Sequence, residues 1–470
     1  MAEKIYSKPS LREKIGYGFG DMSSSMFWKI FSYYLPFFYS NIFGLSLADA
    51  GVLLLITKLY DAVSDPVMGV IADRTRTKWG RYRPYLLWVA IPFALIGVLT
   101  FTTPDKSYTF KLVYAYLSYI LMMTAYTAIN VPYGAMLGVI TPSSKEKTVF
   151  SSFRMFFAYA GSFIALVIFE PLLKFFKGIS VSDPRAVAHS WEYSMIVIGA
   201  ICAVLFILCF LMTKERVMDT SASSRSSRRS VLNDLKSLVS NGPWWILLTV
   251  AVGVLLFNSV RGGVAAYYFK DVIGLGAIYT CGIFLAVGEV SNMIGVALAV
   301  PVSDFMGKKN TYMLALAITI IFSIVIGFLP QTKSGLWFLM GLQILISAAA
   351  GITFPLLWSM FADIADWSEN RTGVVSTGLI FSSSSMAQKF GAAFGSALIL
   401  WVLAAYGYDT SEGAVQSAAS INGLKAMMSW IPAVGAAIAL IAMRFYPLTE
   451  KKMAEVSASL AVKRGDGQSA

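Results

Sequence analysis

The sequence predicts an all-α polytopic membrane protein, with twelve transmembrane helices arranged as two bundles of six. Three observations predict it. Of 470 residues, 57% are hydrophobic and 14% are charged, against about 25% charged in soluble domains. The apolar runs are long and continuous, unlike the alternating ten-residue pieces of a membrane β-barrel. The basic residues gather in every second connection, which is how cytoplasmic loops are marked.

Taken in order, the apolar segments span roughly 13–42, 49–73, 82–103, 109–140, 146–176, 190–213, 243–272, 278–303, 309–329, 334–363, 372–407 and 422–446. Several exceed the roughly 20 residues that cross a bilayer, which implies tilt or extension beyond the lipid. Prolines recur inside them, and Pro66 and Pro132 stand beside polar residues, where kinks open a helix toward a cavity. Basic residues fill the second-to-third connection (Arg74, Arg76, Lys78, Arg81, Arg83), the sixth-to-seventh, the eighth-to-ninth and both ends of the chain. An even number of spans with both termini cytoplasmic fits this alternation. The same alternation accounts for the net charge of +12 without nucleic acid. The start, MAEKIYSKPSLREK, has no apolar core or small-residue cleavage site, so no cleaved signal peptide is read. Cys202, Cys209 and Cys281 form no CxxC pair and read as small buried apolar residues, and the single His189 lies in a polar connection, which argues against a histidine proton relay.

The stretch 214–242 contains TSASSRSSRRS, a polar, flexible linker. It divides the chain into a bundle over 1–213 and a second over 243–446, with a cytoplasmic tail over 447–470. An internal echo supports duplication. Asp73 is followed by Gly80-Arg81, and Asp304 by Gly307-Lys308-Lys309, at corresponding places in the two halves. Each acid could meet a helix end and a neighbouring base, so Asp73, Arg81, Asp304 and Lys308 are candidate cytoplasmic gating residues.

Charges inside spans are costly and mark function. Asp61 and Asp65 are four residues apart in TKLYDAVSDPVMG, hence on one helix face. Hard oxygen ligands suit a hard cation, so these acids, with the hydroxyls of Ser64 and of Thr127 on the fourth span, form a candidate cation site. The same acids could carry a proton or a sodium ion, or form a buried ion-pair network with Lys58, Arg154 or Lys389. Asp21 in GYGFGDMSSSMFW lies among aromatic residues, a setting that suits a sugar. Lys29 on the same span, Tyr126, Asn130 and Tyr133 on the fourth, Arg154 on the fifth and Lys389 in SSSSMAQKFGAAFG complete the candidate substrate set. Glu289 and Arg261 read as a structural pair across spans seven and eight.

The motifs YGFGD, KLYDAVSDPVMG, DRTRTKWGRYRP, INVPYG, FADIADWSENRTG and RFYPLTEKK together resemble the glycoside–pentoside–hexuronide:cation symporters over essentially the whole chain. The resemblance implies the major facilitator fold, with two six-helix bundles around a cavity that opens alternately to each side. It implies coupling-cation ligation by Asp61, Asp65 and Thr127, and sugar contacts by Asp21, Arg154 and Lys389. Where the family has an asparagine beside the cation, this chain has Ser64. Its second sugar aspartate is Asn130 here, and a tryptophan is Gly134.

The reading is a symporter that imports a glycoside, pentoside or hexuronide with sodium or a proton, as a monomer in a bacterial inner membrane. It uses no cofactor, and no GxxxxGK[ST] phosphate loop occurs in the chain. A lipid or amphiphile transporter on the same scaffold would want an apolar cavity, which the polar set argues against. A non-transporting sensor would want an output domain longer than the tail. An enzyme is the weakest reading, for no nucleophile–base pair or metal spacing is present.

Overall fold

The computed structural model describes residues 9–141, 144–179, 183, 185–216, 239–274, 278–330, 333–372, 377–411 and 413–464. Arg225, Arg228, Arg229 and Lys236, expected in a flexible linker, lie outside them. Apart from its connections and an isolated bridge between Thr77 and Gly80, the chain is helical over the described residues. The helices are α1 (Leu11–Phe37), α2 (Leu47–Arg74), α3 (Arg83–Trp88), α4 (Ala90–Thr100), α5 (Tyr108–Ile140), α6 (Ser144–Ile179) and α7 (Ala186–Met212). They continue with α8 (Gly242–Tyr268), α9 (Ile278–Met306), α10 (Lys308–Ile326), α11 (Lys333–Thr372), α12 (Thr377–Ala405), α13 (Ala418–Met428), α14 (Trp430–Arg444) and α15 (Glu450–Arg464). Short π-helical turns, Phe38–Ile42 and Phe269–Ile273, extend α1 and α8.

Among the described residues, nine helices are long and apolar enough to cross a membrane. The other three predicted spans are α1, α2 and the divided α3/α4. The first two carry Asp21, Lys29, Lys58, Asp61 and Asp65, which dilute their apolar character. The third is interrupted at Val89. The twelfth span is divided between α13 and α14, and the tail contains α15.

Local sequence explains where helices begin. Ser10 and Glu13 form a reciprocal capping box at the start of α1, with Ser10 N donating to Glu13 Oε2 at 2.9 Å and Glu13 N to Ser10 Oγ at 3.3 Å. Ser46 caps α2 by accepting from Asp49 N at 3.1 Å. Pro84 stands in the first turn of α3, where a missing N–H is harmless.

The chain divides into two compact units. The first holds Met1–Ala222 with Phe269–Ala286 and Ser396–Ser420, and the second holds Ser223–Tyr268, Val287–Gly395 and Ile421–Ala470. Three helices therefore change unit along their length. In the first unit α1 packs on α6 and α7, α2 on α5, and α4 on α5 and α7. The α1–α6 approach is close: a Cβ on Gly161 would stand 2.4 Å from the Met22 carbonyl oxygen. At the end of the unit farthest from the 74–83 turn, here the distal end, the buried Trp191 ring stacks among Phe37, Phe38, Phe101 and Phe169. In the second unit α10 packs on α11 and α14, and α8 on α14.

Candidate functional site

The two acids of α2 lie on its inner side. Val63, Val67 and Val70 on the opposite side are 69%, 58% and 52% exposed, whereas Asp61 is 3% exposed. This division follows from the helical period, since α2 packs on α5 along one stripe only. Thr127 of α5 then meets both acids. Its Oγ1 lies 3.0 Å from Asp61 Oδ1 and 3.0 Å from Asp65 Oδ1. One hydroxyl proton serves one carboxylate at a time. Ser64 Oγ donates to the Asp61 backbone carbonyl at 3.0 Å and lies 3.2 Å from Thr127 Oγ1. Two carboxylate oxygens and two hydroxyls thus converge from two helices, an all-oxygen set with two negative charges. Among the described residues no group of three or more His, Cys, Asp or Glu side chains converges. An all-oxygen set suits a hard cation or a proton better than a soft transition metal.

Lys58, one turn before Asp61, is buried, donates to Ser396 Oγ at 3.1 Å and lies 5.4 Å from the Trp28 ring centroid. Its ammonium is thus held by a hydroxyl and an aromatic face.

A second cluster stands on α1, α5 and α6. Arg154 grips Asp21 with two guanidinium nitrogens, Nε on Oδ2 and Nη2 on Oδ1, the latter at 3.3 Å. The guanidinium also lies 5.1 Å from the Tyr133 ring centroid. Tyr133 stacks on Tyr17 at 4.7 Å, and its O–H donates to the Tyr17 carbonyl at 2.7 Å. Asp21 and Arg154, predicted as separate sugar contacts, are therefore partners of each other in this state. Ser24 donates to Asn130 Oδ1 at 2.6 Å, and Asn130 Nδ2 to the Tyr126 carbonyl at 3.0 Å. Tyr126 lies beside Trp28, ring centroids 5.5 Å apart. Nothing lies within 4 Å of a Cβ built on Gly134, so the glycine leaves open space where the resemblance has an indole. Lys29 donates to the Tyr33 hydroxyl at 3.3 Å. Lys389 belongs to α12 in the second unit, as do the buried Arg261 and Glu289 to α8 and α9 there.

The turn after α2 is organised by a residue that sequence reading missed. Glu215, just after α7, accepts three backbone N–H groups at the entry to α3: Arg81 N at 2.8 Å, Tyr82 N at 2.7 Å and Arg83 N at 2.8 Å. Asp73, expected to meet a helix end or a base, accepts from the Tyr82 hydroxyl at 2.7 Å instead. Arg81 leaves its side chain over the Tyr82 ring at 5.8 Å. The second unit repeats the device. Glu450, the first residue of α15, accepts Lys308 N at 2.5 Å at the start of α10. Lys308 Nζ binds Asp363 at 2.7 Å, and Asp304 is exposed. Gly80 and Gly307 have φ of 117° and 83°, a region open to glycine. The available signal was an acid following the last span of each half, Glu215 and Glu450.

Gly80→Ala tests this device. Its Cβ would stand 2.5 Å from the Glu215 carboxylate carbon, on a backbone with positive φ. The substitution is expected to cost about 1–3 kcal/mol of stability, read as a lowered melting temperature of the detergent-solubilised protein. An unchanged melting temperature would contradict the role of Glu215.

Buried carboxylates gathered inside a bundle of membrane-spanning helices, with cations and aromatic rings beside them, are the features of a membrane transport protein. The match to the crystal structure of the nucleoside transporter NupG has a TM-score of 0.63 at 14% identity, over 93% of this chain and 100% of that one, which shows the shared fold. The family described as MFS/sugar transport protein matches residues 16–450. The chain belongs to this family, the glycoside–pentoside–hexuronide:cation symporter group of the major facilitator superfamily. It is 34% identical to the inner membrane symporter YicJ of Escherichia coli (strain K12), over 96% of this chain and 95% of the relative. It is 32% identical to the isoprimeverose transporter of Lactiplantibacillus pentosus, over 92% of this chain and 88% of the relative. This is a family of transporters, not of enzymes, and the chain is an integral multi-pass membrane protein.

Proposed function

We propose that the protein is a symporter that imports a small glycoside, pentoside or hexuronide together with a sodium ion or a proton. The observation that carries this reading is the convergence of Asp61, Asp65, Ser64 and Thr127 on one point between α2 and α5. Two carboxylates brought to one hydroxyl at membrane depth repel each other, and a cation or proton seated with them relieves that repulsion. Family membership and the isoprimeverose transporter among its relatives support a sugar as the second cargo. In this reading Asp21, Arg154, Asn130, Tyr126 and Tyr133 hold the sugar, and Lys389 is a further sugar contact. Asp73, Arg81, Asp304 and Lys308 stand at the cytoplasmic turns with Glu215 and Glu450. Both termini face the cytoplasm of a bacterial inner membrane, the halves 1–213 and 243–446 are the moving bodies, and a monomer suffices.

One observation favours an anionic sugar. At the distal end a cavity of about 630 Å³ is lined by Lys111, Lys177, Arg185 and Lys270, with Asp183 as its acid. The backbone N–H of Arg185, then His189, hold the Asp183 carboxyl below the usual carboxylate range, so it is ionised at any physiological pH. Arg185 also meets Asp105 at 3.6 Å, and Lys270 feels Asp271 and Asp409, so Lys111 and Lys177 carry the excess positive charge that would attract an anion at what this topology makes the outer mouth. A thermal-shift panel of neutral glycosides, pentosides and hexuronides, with and without sodium, tests the reading. Stabilisation by a sugar, larger with sodium or with lower pH, is expected, and a hexuronide should give the largest shift. No shift with any sugar under any cation condition would contradict it.

A further inference from the structure

A carboxylate remains that no part of this account uses. Glu170 lies in α6, in the apolar run LVIFEPLLK, and is 1% exposed. Its Oε1 accepts from the Tyr34 hydroxyl of α1 at 2.7 Å and from the backbone N–H of Gly282 in α9 at 2.8 Å. Its Oε2 is buried and has no hydrogen-bond partner among the described residues. The fit around it is tight. A Cβ on Gly282 would stand 2.6 Å from the Leu166 carbonyl oxygen and 2.9 Å from Glu170 Oε2. The Tyr34 ring is fixed between Phe169 and Trp191, at 5.0 and 6.3 Å. The Cys281 thiol, fully buried, faces both Tyr34 and Glu170.

The position of this knot gives it meaning. Gly282 belongs to Phe269–Ala286, which lies after the linker in sequence but in the first unit in space. The remainder of α9, from Val287, belongs to the other unit. Glu170 therefore ties one end of a helix of the second half to α1 and α6 of the first. A second tie lies in the same unit: the Tyr408 hydroxyl donates to Asp271 at 2.5 Å, and Asn41 Nδ2 reaches the Tyr408 oxygen at 3.4 Å. A transporter that exposes its sites alternately must break such contacts at one end of the molecule in each cycle. A buried carboxylate with one oxygen unbonded is costly to keep as structure alone, and a leucine would fill its space.

We propose that Glu170 is the clasp of the outer gate. It holds α9 against α1 and α6 while the outer side is closed, and it lets go of Tyr34 and Gly282 when that side opens. The proposal rests on the alternating-access reading above, but its test needs no substrate, because Cys281 is a built-in reporter. In a Cys202→Ala/Cys209→Ala background, Cys281 is the only thiol. A membrane-impermeant maleimide applied from outside should label it slowly while the clasp holds. Glu170→Leu, which loses both hydrogen bonds, should raise the labelling rate about tenfold, and Tyr34→Phe, which loses one, about threefold. Glu170→Gln keeps an oxygen that can accept from both donors and should stay within about twofold of the parent. Equal rates in the parent, Glu170→Leu and Tyr34→Phe would overturn the clasp. If Glu170→Leu is not recovered as a monodisperse protein, Tyr34→Phe against the parent decides. Should Cys281 respond as expected while no sugar is bound or transported, the clasp stands and the sugar reading falls.

Discussion

Asp61→Asn and Asp65→Asn are each expected to abolish concentrative uptake, reducing the accumulation ratio to about one. One positive charge moving inward down 100 mV supplies about 2.3 kcal/mol, enough for roughly 50-fold accumulation. That work reaches the sugar only if the cation and sugar sites stabilise each other, which is a reciprocal linkage. The two acids share the Thr127 hydroxyl at 3.0 Å each, so removing either charge removes half of what holds the cation. Downhill sugar movement should survive, because Asp21 and Arg154 form a separate cluster on other helices. Thr127→Val keeps both charges but loses an oxygen ligand, and should raise the cation concentration for half-maximal uptake about tenfold. Gradient-driven accumulation measured in both asparagine variants at wild-type level would sink the cation assignment.

The second large effect is expected at Asp21 and Arg154. The pair is bidentate, lies inside the bundle and is backed by Tyr133 at 5.1 Å. Removing Arg154 leaves the buried Asp21 carboxylate unpaired, which costs about 3–5 kcal/mol, and removing Asp21 costs less, because the Arg154 side chain is 29% exposed. Asp21→Asn and Arg154→Gln should each lower sugar uptake by about 100-fold or more and should also lower the melting temperature. The double variant should recover much of the melting temperature and none of the transport. The contrast separates the two roles, since a merely structural pair would recover uptake along with stability. On the proposed reading a sugar competes with Arg154 for the Asp21 carboxylate, through hydroxyl groups that replace guanidinium N–H donors.

Much of the scaffold is legible in the sequence because long apolar runs and loop charge depend on local residues alone. The spacing of Asp61 and Asp65 places them on one face, and α2 shows them opposite Val63 and Val67. The approach of Thr127 from α5 is a long-range fact that periodicity cannot supply; the residues offer Thr127 only on condition that the second and fourth spans pack together, and the family resemblance points to the same hydroxyl. Asp21 and Arg154 read as two separate sugar contacts, because residues 133 positions apart carry no local mark of partnership. Glu215 and Glu170 escape sequence reading for different reasons. Glu215 sits among loop charges, where one more acid looks like solvated surface. Glu170 is detectable in principle, since a lone acid before a proline in an apolar span has the same cost as Asp61. Helices that change unit midway, such as α9, leave no signature in sequence, because the division reflects which ends meet.

The central claim is that sugar and cation cross together through one cycle. The most direct measurement is cation movement driven by sugar in proteoliposomes with no imposed gradient. Adding the stabilising sugar outside should carry sodium inward, or alkalinise the outside if the cation is a proton, in fixed ratio to the sugar taken up, and Asp61→Asn should abolish it. Sugar entry with neither sodium uptake nor a pH change in the wild-type protein would contradict the account.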